Sequence, residues 1–388
     1  MISKKITVII IMLFLFVGMT INVATATDTG SSSPISTSVS LNIPKPSIPS
    51  SQTPTISKPS MDKSVPVVSQ PLVSDLITDP VSPTITDTNQ VTAFSTTSGP
   101  SIQGVSIFPS DNIWNVPIDT LPVDDRSVDY IRTMGGEDQT VKPQFYSGFK
   151  NGVPWGIPYN VVSGDQPKVD VSIHYYTESD CGPYPIPENP LIQQDHDYHM
   201  LIIDKDNAIL YELYKAIQNP DGTWTAGAGA VYDLLSNTLR PICYTSADAA
   251  GLPILPGLVK YDEVASGEIR HAIRTTAIST QKAFVWPARH YASDITSPEY
   301  PPMGQRFRLK SSFDTSGYPD QAKVIMEAMK KYGVIVADNA GGSWDLSGTP
   351  DERWDNEALK TLRDIKGTDF EAVDVSSLMI NPDSGQTS

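Results

Sequence analysis

The sequence predicts a β-rich α+β fold, an antiparallel sandwich or barrel with a few helices packed at its edge toward the C-terminus. Two observations carry this. Runs alternating at period two recur between Pro-rich breaks, and the segments with helical spacing gather late in the chain. Residues 169–175 place an apolar or aromatic side chain at every odd position, as a half-buried strand does. Similar runs occupy residues 199–204, 208–216, 269–278, 282–286 and 306–310. The Pro-rich segments at 182–190 and 252–257 lack the backbone donors of a ladder and are expected to be irregular loops. Among helices, residues 319–332 give the clearest pattern: Ala322, Ile325, Met326 and Met329 share one face and Gly333 stops it. Residues 355–365 form a second, ahead of Gly367, and a short one capped by Asp124 or Asp125 ends before Gly135 and Gly136.

The chain falls into four parts. Lys4 and Lys5 precede an apolar run from Ile6 to Val23 that ends in Ala24-Thr25-Ala26, so residues 1–26 read as a signal peptide or a retained N-terminal anchor. Residues 27–104 are rich in Ser, Thr and Pro and cannot bury enough apolar surface to fold; they read as a disordered stalk. Residues 105–381 hold all six tryptophans and both cysteines and read as one globular domain, followed by a frayed tail at 382–388. Export places the working part outside the cell or at its surface. A formal charge of −16 disfavours nucleic acid, and it disfavours membrane contact beyond an N-terminal anchor. Cys181 and Cys243 permit a disulfide or two free thiols, and they have no metal-ribbon spacing.

No nucleophile elbow, P-loop, dinucleotide fingerprint or HExxH motif is present. The densest polar cluster is DHDYH, Asp195 to His199, running into an apolar strand and a second strand beyond Asp204-Lys205-Asp206-Asn207. A two-residue turn at Lys205-Asp206 sets His199 opposite Glu212, with Asp195 and Asp197 on the same face. Such a cluster suits an acid/base pair, or a divalent cation at Asp197, His199 and Glu212, or only a solvated hairpin end. The expected catalytic residues are Glu212 and His199, with Asp248 or His271 as a further group. Trp286, Arg289, His290 and Arg274 are the expected substrate contacts, because aromatic rings stack on sugars and guanidinium groups donate paired hydrogen bonds.

The segments FPSDNIWN (108–115), SDCGPYPIP (179–187), LYELY (210–214), TSADAAGLPILPGLVKYDEVASGEIRHAIR (245–274), FVWPARH (284–290) and FEAVDVSSL (370–378) resemble a family of exported bacterial and archaeal proteins. The resemblance covers nearly all of residues 105–378. It implies one shared domain to which the stalk is an addition, with equivalents of His199, Glu212, Asp248, His271 and His290 but usually not of His196. It implies no activity. The expected function is a secreted carbohydrate-active domain, a hydrolase or lyase acting on an extracellular or cell-wall polysaccharide. The rival expectation is a non-catalytic surface module that binds a glycan or protein, or a structural envelope protein.

Overall fold

In the computed structural model, which describes residues 99–388 other than 151, 195 and 196, a central hairpin is buried on both of its faces. Its strands, Met200–Asp204 and Ile209–Tyr214, lie inside a four-stranded sheet between Ala228–Asp233 and Tyr159–Val162. Tyr159–Val162 pairs in parallel and the other neighbours are antiparallel. Leu201, Ile203 and Leu210 enter the main core, while Met200, Ile202, Tyr211 and Leu213 enter a smaller one shared with strands Val171–Ile173 and Trp224–Ala226. Burial on two faces is why this strand reads as an unbroken apolar run.

The hairpin register differs from the expected one by two residues. Leu201 faces Glu212 and Ile203 faces Leu210, leaving residues 205–208 as a four-residue loop. The Asp204 carboxylate explains the extra length: it accepts from the backbone and side-chain nitrogens of Asn207 at 3.1 and 2.8 Å, building the turn one step further out. A shift of two preserves faces, so His199 and Glu212 share a face but lie diagonal to each other.

The second sheet has six strands in the order Phe370–Val373, Arg306–Leu309, Val334–Asn339, Ile273–Ala277, Asp345–Leu346 and Lys142–Pro143. Two of its pairings are parallel, Ile273–Ala277 with Val334–Asn339 and Asp345–Leu346 with Lys142–Pro143. The sheets are therefore mixed rather than wholly antiparallel. A parallel pair needs a long return, and the chain between residues 277 and 334, including helix Asp320–Lys331, supplies it. That helix buries Ala322, Ile325, Met326 and Met329, the face expected from their spacing. Asp355 caps helix Asn356–Lys360 by accepting from the N–H groups of Glu357 and Ala358. Residues 282–286 form no strand and make one bridge, Phe284 to Met303. The whole is a β-rich α+β fold with its few helices mostly toward the C-terminus.

By contacts the chain divides into Met1–Thr88 and Asn89–Ser388, and every described residue belongs to the second. The signal or anchor segment, most of the expected stalk, Asp195 and His196 lie outside the described residues. Strand Ser101–Ile102 pairs with Val105–Ser106, so the fold begins inside the stretch assigned to the stalk. Among the described residues no helix is long and apolar enough to cross a membrane. Cys181 and Cys243 are unpaired and exposed.

The last residues are docked, which corrects the expected frayed tail. Asn112 bridges Gln386, Thr238 bridges Ser384 and Met379 bridges Thr387. The Trp286 indole donates to the Ser384 carbonyl at 2.8 Å, and Arg289 donates to Pro382 and Asp383 at 2.8 and 2.7 Å. Arg289→Ala is expected to cost about 1–2 kcal/mol and to raise amide exchange at residues 381–388 well above that of the adjoining Phe370–Val373 strand. Unchanged exchange in the tail refutes the clamp.

Candidate functional site

Alternation on the six-stranded sheet creates a polar face. In Ile273–Ala277 the residues Ile273, Thr275 and Ala277 are fully buried, and Arg274 and Thr276 project the other way. Leu346 lies opposite Thr275 on the core side, which sends Asp345 and Ser347 to the side of Arg274. A bulge between Thr275 and Thr276 sets Asp338 opposite Thr276, on that same face and at the end of its strand. Arg274, Thr276, Asp338, Asp345 and Ser347 thus floor a cleft of about 450 Å³, walled by Trp155, Asp197 and His199. Gly156 lets the Trp155 wall approach: its φ is 147°, and a Cβ there would stand 2.6 Å from the Pro350 nitrogen.

Arg274 organises the floor. Its Nε and Nη2 donate to the two oxygens of Asp248 at 2.6 and 2.7 Å, and its Nη1 donates to the Ser347 hydroxyl at 2.7 Å. Nη2 also reaches Asp338 at 3.3 Å. Asp248 is fully buried, whereas 28% of the Asp338 side chain is exposed to the cleft. Burial raises the Asp338 carboxyl to about 7, the Asp248 charge adds to this, and Arg274 pulls against both. Asp248 therefore holds Arg274 in place, while Asp338 is a carboxyl that carries its proton near neutrality.

His199 is 3% exposed. Its Nε2–H donates to the Ala247 carbonyl at 3.0 Å, and Nδ1 meets the Gln193 side-chain amide. Its ring also packs on Tyr214 with centroids 5.8 Å apart. Glu212 does not reach the cleft. It is fully buried, and both of its oxygens accept from the Ile254 N–H, with one also accepting from the Leu255 N–H at 2.9 Å. The Pro-rich loop runs through the core, and its unsatisfied donors need an acceptor there. Burial pushes Glu212 up to about 8 against the pull of these two N–H groups. Glu212 is thus a support for the loop, and the expected cation at Asp197, His199 and Glu212 loses its third ligand. Among the described residues no group of three or more metal-ligating acids, histidines or cysteines comes together.

The other expected residues disperse. His271 is buried in a separate cluster, donating from Nδ1 to the Ala272 carbonyl at 2.8 Å. Its Nε2 stands 3.1 Å from Glu263 and 3.2 Å from Lys260. Burial would raise Glu263, but Lys260 and His271 outweigh it and hold the carboxylate down to about 2. Trp286 and Arg289 grip the C-terminal segment, and His290 donates to the Ala249 carbonyl at 2.9 Å beside Glu178. Of the expected set, His199 and Arg274 line the cleft and Asp248 supports it from beneath.

Asp338, Asp345 and Trp155 were not singled out by the sequence. A signal existed for Asp338: Asp-Asn directly follows the apolar strand VIVA, and the carboxyl ends of strands in parallel pairings are where ligands gather. No protein-family model matches this chain, and neither a curated protein nor a solved structure matches it.

Glu212 gives a pH-dependent expectation. Its folded pKa lies above the ordinary value, so the native state holds the extra proton and this stabilisation fades as pH rises from about 4.5 toward about 8. Glu212→Gln should remove that fade, keeping one acceptor oxygen for the loop. Glu212→Leu strands two buried N–H groups and should cost about 2–4 kcal/mol. Urea midpoints at pH 5 and pH 9 separate the two; equal midpoints for Gln and Leu would rule out the acceptor role.

Proposed function

We propose that the domain is a secreted carbohydrate-active enzyme, a hydrolase or lyase acting on an extracellular or cell-wall polysaccharide in the cleft floored by Arg274 and Asp338. One observation carries the reading: the Asp338 carboxyl, raised to about 7, faces an open groove also lined by Asp197, Asp345 and Trp155. Environments that separate the pKa values of neighbouring carboxyls are how one site obtains both an acid and a base. Trp155 places an aromatic ring in the wall of the groove, and Gln144 and Asn339 place amides there, the residue types that line sugar-binding grooves.

In this reading Asp338 is the general acid, and Asp197 or Asp345 is the second carboxyl of the pair. Asp248 is a positioning residue: by fixing Arg274 it fixes the charge beside Asp338. His199 joins the wall with both ring nitrogens engaged.

A polysaccharide panel, read by reducing-end release and by the absorbance of unsaturated products, tests this. Asp338→Asn is expected to lower kcat about 10²–10⁴-fold with little change in KM. Wild-type kcat is expected to fall as pH rises through about 7, as Asp338 loses its proton. Full turnover by Asp338→Asn removes Asp338 from the mechanism. Binding of a glycan without turnover by the wild type transfers the domain to the class of non-catalytic surface modules.

A further inference from the structure

A polysaccharide is longer than the groove. At about 450 Å³ the cleft has the size of a site for one small ligand, so a polymer bound there overhangs it and meets the surface beside it. On the side of Asp197 and His199 that surface carries tyrosines. The Asp197 carbonyl accepts from the Lys215 N–H at 2.8 Å and the Tyr198 carbonyl from the Ala216 N–H at 3.1 Å, which extends the pairing of the central hairpin past its strands. The Tyr214 carbonyl accepts from the Gly227 N–H at 2.7 Å, and the Gly227 carbonyl accepts from the Tyr175 N–H at 2.9 Å. Tyr198, Tyr214 and Tyr175 therefore sit on neighbouring segments of chain. A Cβ at Gly227 would stand 2.6 Å from Tyr214 Cδ1, so the glycine leaves room for that ring to lie against the chain. The same ring lies 5.8 Å from the ring of His199, which walls the groove, and 5.2 Å from the Lys215 ammonium.

Tyr198 and Tyr175 are 40% and 45% exposed, and Tyr176 beside them 66%, although each ring has much apolar area to remove from water. His174 packs edge-on against Tyr175 with centroids 4.6 Å apart, which steadies that ring at the surface. Tyr198 and Lys215 both hold left-handed backbone, with φ of 46° and 51°. Residues with a Cβ kept in that region gather at ligand clamps. We infer, resting on the reading above, that Tyr198 and Tyr175, with Tyr214 on the segment between them, form a binding track continuous with the groove, on which further sugars of the same glycan stack. The substrate is then a polymer held along several of its sugars, rather than a short oligosaccharide. Stacking of this kind reads the C–H face of a pyranose, and it tolerates a change of substituent at the sugar's edge. The groove at Asp338 sets where the chain is cut, and the tyrosines set how much chain is held beside the cut.

The test uses the full chain with dimers and hexamers of β-linked glucose, xylose and N-acetylglucosamine, measured by calorimetry beside the polysaccharide panel. The wild type should bind at least one hexamer about tenfold or more tightly than the matching dimer. Tyr198→Ala and Tyr175→Ala, checked for folding by circular dichroism, should each shrink that preference about threefold to tenfold. Tyr198→Phe should keep it within about twofold, because the ring carries the contact. A hexamer preference that survives both alanine variants overturns the inference and leaves the carbohydrate-active reading standing. Equal binding of dimer and hexamer by a wild type that turns over a panel polysaccharide does the same. Sedimentation of the wild type as a dimer that Tyr198→Ala dissociates gives the tyrosines to a second copy of the chain, and also overturns it. Failure to bind any probe or cleave any member of the panel sinks both.

Discussion

A guanidinium taken out of water must find acceptors in the protein, and the arrangement around Arg274 follows from that requirement. Asp248 meets it from one side with two oxygens, Ser347 from a neighbouring strand, and Asp338 from the groove. These contacts join the turn at Ser246–Gly251, the Ile273–Ala277 strand, the Val334–Asn339 strand and the segment after Leu346. Breaking a buried pair of this kind leaves an uncompensated charge, at a cost of about 3–5 kcal/mol. The groove's shape and its electrostatics therefore have one origin, and neither can be altered without disturbing the other.

Buried carboxyls divide the work. Asp248 sits at zero exposure against a cation, whereas Glu212 sits at zero exposure against backbone N–H groups and retains its proton toward alkaline pH. Between them they fasten the loop from Ser246 to Leu258 at two points, one charged and one neutral. The Ser246 hydroxyl adds a third by donating to the Leu252 carbonyl at 2.6 Å. Of these three buried carboxyls, Asp338 is the one partly open to solvent and so placed to exchange a proton with something that enters. Burial alone does not mark a functional acid; burial with an open side does.

The class of fold was legible because period-two alternation and a sharp helical face at Ala322, Ile325, Met326 and Met329 are local signals. The hairpin was legible too, but not its loop length, because the Asp204–Asn207 turn depends on one side chain bonding to the backbone beyond it. Parity survived the error, so His199 and Glu212 kept a common face. What could not be read was the destination of each side chain. Glu212 looks like an acid beside a histidine until a loop some forty residues later brings two N–H groups to it. Arg289 and Trp286 look like a sugar platform until residues 382–384 arrive from the far end of the chain. Asp338 was overlooked because its partners, Arg274 and Asp248, are 64 and 90 residues away and only the sheet brings them together.

The docked C-terminal segment also orders events in time. Gln386 donates to the Asp111 carboxylate and Thr387 to the Asp111 carbonyl, across 275 and 276 residues of sequence. Synthesis proceeds from the N-terminus, so residue 111 waits for its partner until almost the entire domain has been made. The Asn112–Ile113 region, Trp286 and Arg289 all lean on that late-arriving piece. A chain built this way completes its fold after synthesis of the domain, not during it, and such long-range closures are slow to form. Its vulnerable interval is the one before residues 381–388 emerge.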